Sequence, residues 1–95
     1  MSEPTATIRV VITGRVQGVW YRGWTVDEAR ERSLSGWVRN RRDGSVEALF
    51  SGPEAAVRAM IERCREGPPT ARVERIVETP GSAPVEAGFR QRPTE

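Results

Sequence analysis

The stretch Gly14-Arg15-Val16-Gln17-Gly18-Val19-Trp20-Tyr21-Arg22 joins an apolar strand to a helix start, and its residue types suit the capture of an anion. Two glycines let the backbone curl so that several N–H groups face one point, and a helix N-terminus adds partial positive charge. The Arg22 guanidinium can then grip two oxygens of a phosphate at once. A cation at that end of a helix opposes the dipole unless an anion is present, which singles out Arg22 among fifteen basic residues. Neither a GK[ST] nor a GxGxxG pattern follows, so a phosphorylated ligand smaller than a nucleotide is expected.

What the chain lacks narrows the chemistry further. All fifteen basic residues are arginine, with no lysine and no histidine. Against thirteen acidic residues they leave a net charge of only +2. The isoelectric point of about 9.5 therefore reflects a flat titration curve, and it is weak evidence for nucleic acid as a partner. Histidine triads, lysine Schiff bases and histidine-rich metal sites are excluded. Catalysis in such a chain must rest mainly on positioning and electrostatics.

The other candidates each carry a plain structural reading beside the functional one. Asn40, the sole asparagine, either shapes a turn at a strand end or offers an amide that orients a water molecule. Cys64 lies on an apolar helix stripe, where a packed thiol outweighs a nucleophile. Trp20, Tyr21 and Trp24 could stack on a ligand or pack in the core. Arg39, Arg41 and Arg42 surround a hairpin tip, and no pair of acids stands out as a metal or acid–base site.

The elements that must position these residues follow from periodicity. Ile8, Val10 and Ile12 alternate with other residues and predict a first strand. A helix over about Tyr21 to Ser33 carries Asp27 and Glu28 early and Arg30 and Arg32 late, as the dipole prefers. Leu34–Asn40 and Val46–Ser51 flank Asp43-Gly44, a strong hairpin signal. Val57, Met60, Ile61 and Cys64 stand at i, i+3, i+4 and i+7 on a second helix that Gly67-Pro68-Pro69 stops. Ala71–Thr79 reads as a strand whose Val73 and Ile76 fall out of alternation, as a bulge would cause. A Pro/Gly/Ser loop and a short edge strand over Phe89–Arg92 complete the chain.

That order predicts an α+β fold of the ferredoxin-like, split βαβ type: an antiparallel sheet with both helices on one face. Strand three should lie between strands one and two. One domain over residues 1–95 is expected, ordered over about 7–92 with flexible termini. No run approaches the roughly 20 apolar residues of a membrane span, and Met1–Thr5 lacks the segments of a signal peptide, so a cytoplasmic location is expected.

Gly14-x-Val16-Gln17-Gly18-Val19-x-Tyr21-Arg22, Ser35-Gly36-Trp37-Val38-Arg39-Asn40 and Asp43-Gly44-x-Val46-Glu47 together closely resemble the acylphosphatase family. Gly52-Pro53 and Gly67-Pro68-Pro69-Thr70-Ala71-x-Val73 extend the likeness over roughly Ile8 to Ile76. The resemblance implies hydrolysis of acyl phosphates to a carboxylate and inorganic phosphate without metal or cofactor, and a monomer is expected. By the same resemblance Arg22 is the phosphate-binding arginine, and the N–H groups of Arg15, Val16, Gln17, Gly18, Val19, Trp20 and Tyr21 form the phosphate cradle. Asn40 matches the residue that positions the attacking water. Arg41 departs from the family pattern, since many members carry threonine there. The alternatives are a non-catalytic phosphate- or RNA-binding module and an accessory domain of a larger protein, with a membrane partner not expected.

Overall fold

The computed structural model describes residues 4–84 and 86–95. Seven elements follow in order: β1 (Thr5–Arg15), α1 (Tyr21–Glu31), β2 (Ser35–Asn40), β3 (Val46–Pro53), α2 (Glu54–Glu66), β4 (Arg72–Pro80) and β5 (Phe89–Gln91). The sheet order is β4-β1-β3-β2-β5, so β3 does lie between β1 and β2. β1, β3, β2 and β4 pair antiparallel as expected.

The last strand differs: β5 pairs parallel to β2, making the sheet mixed. The reason lies in the crossing from β4, at one edge, to β5, at the other. Gly81 opens that crossing by donating its N–H to the Thr7 carbonyl and lying against Leu49, on the sheet face away from the helices.

The alternation of β1 has the predicted consequence. Ile8, Val10 and Ile12 are buried together with Val46, Ala48 and Phe50 of β3 and Val38 of β2. Against this face pack Val57, Met60, Ile61 and Cys64, the full predicted stripe of α2. Gly36 leaves room for the Phe50 and Phe89 rings to stack at 5.5 Å across β2. The bulge is present: Thr13 pairs with Arg75 but Gly14 with Val73, so Glu74 is the extra residue that breaks the alternation of β4.

α1 departs from its expected charge pattern. Its first turn carries no acid and its last turn only Arg30. The helix opens directly on Tyr21 and Arg22, which pushes Asp27 and Glu28 into its middle. Glu28 there pairs with Arg32 and with Arg63 of α2. The expected flexible start falls on residues 1–3, which lie outside the described residues. At the other end Glu95 donates its N–H to the Asn40 carbonyl at 3.1 Å.

The strand directions place the site. β1, β2 and β5 run one way, β3 and β4 the other. Val46, where β3 begins, pairs with Ile12 on one side and Asn40 on the other. The loop leaving β1 and the end of β2 therefore meet at one end of the sheet.

Candidate active site

A pocket of about 140 Å³ opens at that end, lined by Val16, Gln17, Gly18, Trp20, Tyr21, Arg22, Gly23, Asn40 and Gln91. The loop between β1 and α1 is anchored by alternate residues. Val16, Val19 and Tyr21 are buried in the core, while Gln17, Gly18 and Trp20 remain at the surface. Gly18 turns the chain at φ +73, a conformation that suits glycine.

Side-chain bonds hold the loop from several directions. The Gln17 amide donates through Nε2 to the carbonyls of Arg41 and Ser45, each at 2.8 Å. Thr70 donates its hydroxyl to the Val19 carbonyl at 3.1 Å. Tyr21 donates its own to the Cys64 carbonyl of α2 at 2.6 Å. Burial of the phenol, with Cys64 beside it, holds Tyr21 protonated far above its ordinary range. Thr25 returns a bond to the Tyr21 carbonyl at 2.8 Å.

Against this firm frame, the groups facing the pocket are left unused. Among the described residues no protein acceptor pairs with the N–H of Val16, Gln17, Gly18, Val19 or Trp20. Arg22 is half-buried in the first turn of α1 and makes no hydrogen bond or ion pair among the described residues. Eight other arginines (Arg9, Arg32, Arg39, Arg41, Arg58, Arg63, Arg65 and Arg90) each face a carboxylate. The Asn40 Oδ1 atom is buried without a partner. Unpaired buried polar atoms are rare and costly, so a donor such as water is the natural complement.

Most of the expected site residues thus converge: Arg22, Asn40, Val16, Gln17, Gly18, Trp20 and Tyr21 share the pocket. Two do not line it. Arg15 closes β1 opposite Arg72 and borders a separate hollow with Pro69, Thr70 and Ala71. Val19 points its side chain into the core. Two lining residues escaped the sequence reading. Gln91 follows the buried Phe89 by two on β5, so strand alternation was the available signal. Gly23 lies under the Trp20 ring, where a Cβ would come within 2.2 Å of Nε1. No local pattern announces that contact.

The remaining candidates behave as structural groups. Cys64 is fully buried, and burial pushes its thiol up to about 12. Arg41 serves through its backbone: its carbonyl accepts from Gln17, and its N–H donates to the Ser45 carbonyl at 2.9 Å. Asp43 accepts the Ser45 N–H at 2.9 Å and its hydroxyl, and these bonds hold its carboxyl below the usual range. Among the described residues no group of His, Cys, Asp or Glu side chains is arranged to hold a metal ion. No helix there is long and apolar enough to cross a membrane.

The comparisons with known proteins agree in direction. The family model described as Acylphosphatase matches residues 8–91. An acylphosphatase of Rhodospirillum rubrum is 61% identical over 88 residues, which is 93% of this chain and 97% of the relative. One of Azorhizobium caulinodans is 60% identical over 87 residues, 90% of this chain and 94% of the relative. Among solved structures, the acylphosphatase from Bacillus subtilis superimposes with a TM-score of 0.87 at 38% identity, covering 94% of this chain and 99% of that one.

Proposed function

The chain belongs to the acylphosphatase family, whose members hydrolyse acyl phosphates, and on that premise we propose that its reaction runs in the pocket between the β1–α1 loop and Asn40. One observation carries the reading. The N–H groups of Val16, Gln17, Gly18 and Trp20, the Arg22 guanidinium and the Asn40 amide oxygen, none of them partnered among the described residues, belong to residues that line one small cavity. The cradle comprises the N–H groups from Val16 to Tyr21, with Arg15 left in the β1 ladder, and it holds the phosphoryl group together with Arg22. These donors are fixed before substrate arrives, so little reorganisation is needed when charge builds on the phosphoryl oxygens.

Water donates one hydrogen to Asn40 Oδ1, which directs an oxygen lone pair toward phosphorus. The new O–P bond forms as the P–O bond to the acyl group breaks, and that electron pair leaves with the carboxylate. A phosphoryl oxygen takes the water's proton, giving inorganic phosphate. A carboxylate is a good leaving group and needs little protonation, which suits a chain without histidine. Phosphoryl transfer depends chiefly on alignment and charge stabilisation. No metal enters this scheme, because Arg22 and the amides supply the positive field.

The test is hydrolysis of benzoyl phosphate in the presence of EDTA by wild type, Arg22→Ala and Asn40→Ala. Undiminished turnover by a folded Arg22→Ala protein would sink the assignment.

A further inference from the structure

Trp20 is unlike the other two tryptophans. Trp24 is buried in the core, and the guanidinium groups of Arg39 and Arg92 lie over the Trp37 ring at 4.7 and 5.1 Å. Trp20 remains 62% exposed, and among the described residues only Val77 joins it as an exposed large hydrophobic. Its backbone is left-handed, at φ 65 and ψ 20, which is unfavourable for a bulky residue. Such conformations persist where surrounding structure enforces them, and they cluster at ligand sites.

The ring is nevertheless held in place. Gly23 gives it a flat seat: a Cβ there would meet Nε1 at 2.2 Å and Cδ1 at 2.7 Å. One face of the indole is therefore fixed against the first turn of α1 while much of the ring stays open to solvent. It borders the same pocket as Arg22 and Asn40. The pocket is open on the side that Trp20 lines, so an acyl group carried by a phosphoryl group in the loop lies within reach of the ring.

We propose that Trp20 is the platform on which the substrate's acyl group lies, so that the enzyme favours acyl phosphates with a flat, apolar acyl group. The proposal rests on the acyl phosphate reading of the pocket. The ring would contact acyl carbons that change little between substrate and transition state. Its contribution should therefore appear mainly in KM.

The experiment compares kcat/KM for benzoyl phosphate and acetyl phosphate in wild type, Trp20→Asn and Trp20→Phe. Asparagine tolerates the left-handed backbone while removing the ring, and phenylalanine restores an aromatic face. Using the ratio of the two substrates cancels any disturbance of the phosphate cradle common to both. The benzoyl-to-acetyl ratio should fall about three- to tenfold in Trp20→Asn, through the benzoyl phosphate KM, and recover in Trp20→Phe. An unchanged ratio in Trp20→Asn, with both substrates still hydrolysed, overturns the platform and leaves the pocket's assignment standing. A wild-type protein that hydrolyses neither substrate overturns both.

Discussion

Gln17 and Arg41 are joined across the site: the Gln17 Nε2 donates to the Arg41 carbonyl at 2.8 Å, tying the β1–α1 loop to the residue after Asn40. A second bond to the Ser45 carbonyl closes the link over the hairpin. The two halves of the pocket are thus fastened by the Gln17 side chain. Gln17→Ala should lose about 1–2 kcal/mol, because the Ser45 carbonyl keeps the Arg41 N–H and the Arg41 carbonyl keeps the Gly44 N–H. Its kcat should fall roughly tenfold as the loop loosens against Asn40. Gln17→Glu should be worse, with a carboxylate facing two carbonyl oxygens. Urea midpoints and steady-state kinetics read both effects, and full kcat in Gln17→Ala would show the fastening to be dispensable.

Arg22 and Asn40 should separate activity from stability. Arg22 opposes the dipole of α1 and has no partner among the described residues, so Arg22→Ala should be within about 0.5 kcal/mol of wild type, or more stable. Its kcat/KM should drop at least about 10²–10³-fold. Inorganic phosphate should raise the Tm of wild type but not of this variant. Asn40→Ala should keep phosphate binding and lose kcat. A large loss of stability in Arg22→Ala would contradict the idea that it is held ready for an anion.

Glu47 contributes to the acid side of the stability profile. Its carboxylate is buried on the sheet face away from the helices, between Arg9 and Arg39, with Arg39 Nε at 2.7 Å. Burial alone would raise its pKa, but hydrogen bonds and charge from Arg39 and Arg9 hold it below the ordinary 4.5. A depressed folded value means the stabilisation is present above the unfolded value and is lost as pH falls through the folded one. Unfolding free energy should therefore decline below about pH 4.5, and Glu47→Gln should remove part of that slope while costing about 1–3 kcal/mol. Denaturation curves between pH 3 and pH 7, on the order of two per unit, are the measurement. An identical slope in Glu47→Gln would shift the acid sensitivity to other groups.

Cys64 predicts the opposite limb. Its thiol is pushed from an ordinary 9.0 up to about 12 by burial. A raised folded value means its contribution is intact below 9 and lost as pH rises toward 12. In the native protein it should resist thiol reagents and react only on unfolding, with activity unchanged during the exposure. Rapid labelling of the folded enzyme would place Cys64 at an accessible surface.

These residues also mark where sequence reading reaches and where it stops. Alternation in β1, the Asp43-Gly44 turn and the spacing of Val57, Met60, Ile61 and Cys64 are local signals, and each element formed where its pattern lay. Arg22 was visible because a cation at a helix start is a local contradiction. The direction of β5 was not visible. It depends on which path the chain takes across the open face, and three residues carry too little pattern to declare it. The Gln17 link joins two loops far apart in sequence, so no spacing rule could reveal it. The unpaired state of Asn40 Oδ1 is likewise a property of everything packed around it.

The sheet order carries a kinetic consequence. β1 cannot complete its place until it pairs with β3 on one side and with β4, from the far end of the chain, on the other: Ile8 alone meets both Phe50 and Pro80. Contacts between such distant segments must meet the entropy of loop closure before they gain any pairing, and chains built this way fold slowly. Arg22 follows β1 and Asn40 ends β2, with β3 between them. A collapsed intermediate containing only α2 and the β2–β3 hairpin therefore has no route to hydrolysis. Recovery of enzymatic activity during refolding should trail the return of helical circular dichroism, and the lag between them would time the closure of the central strands.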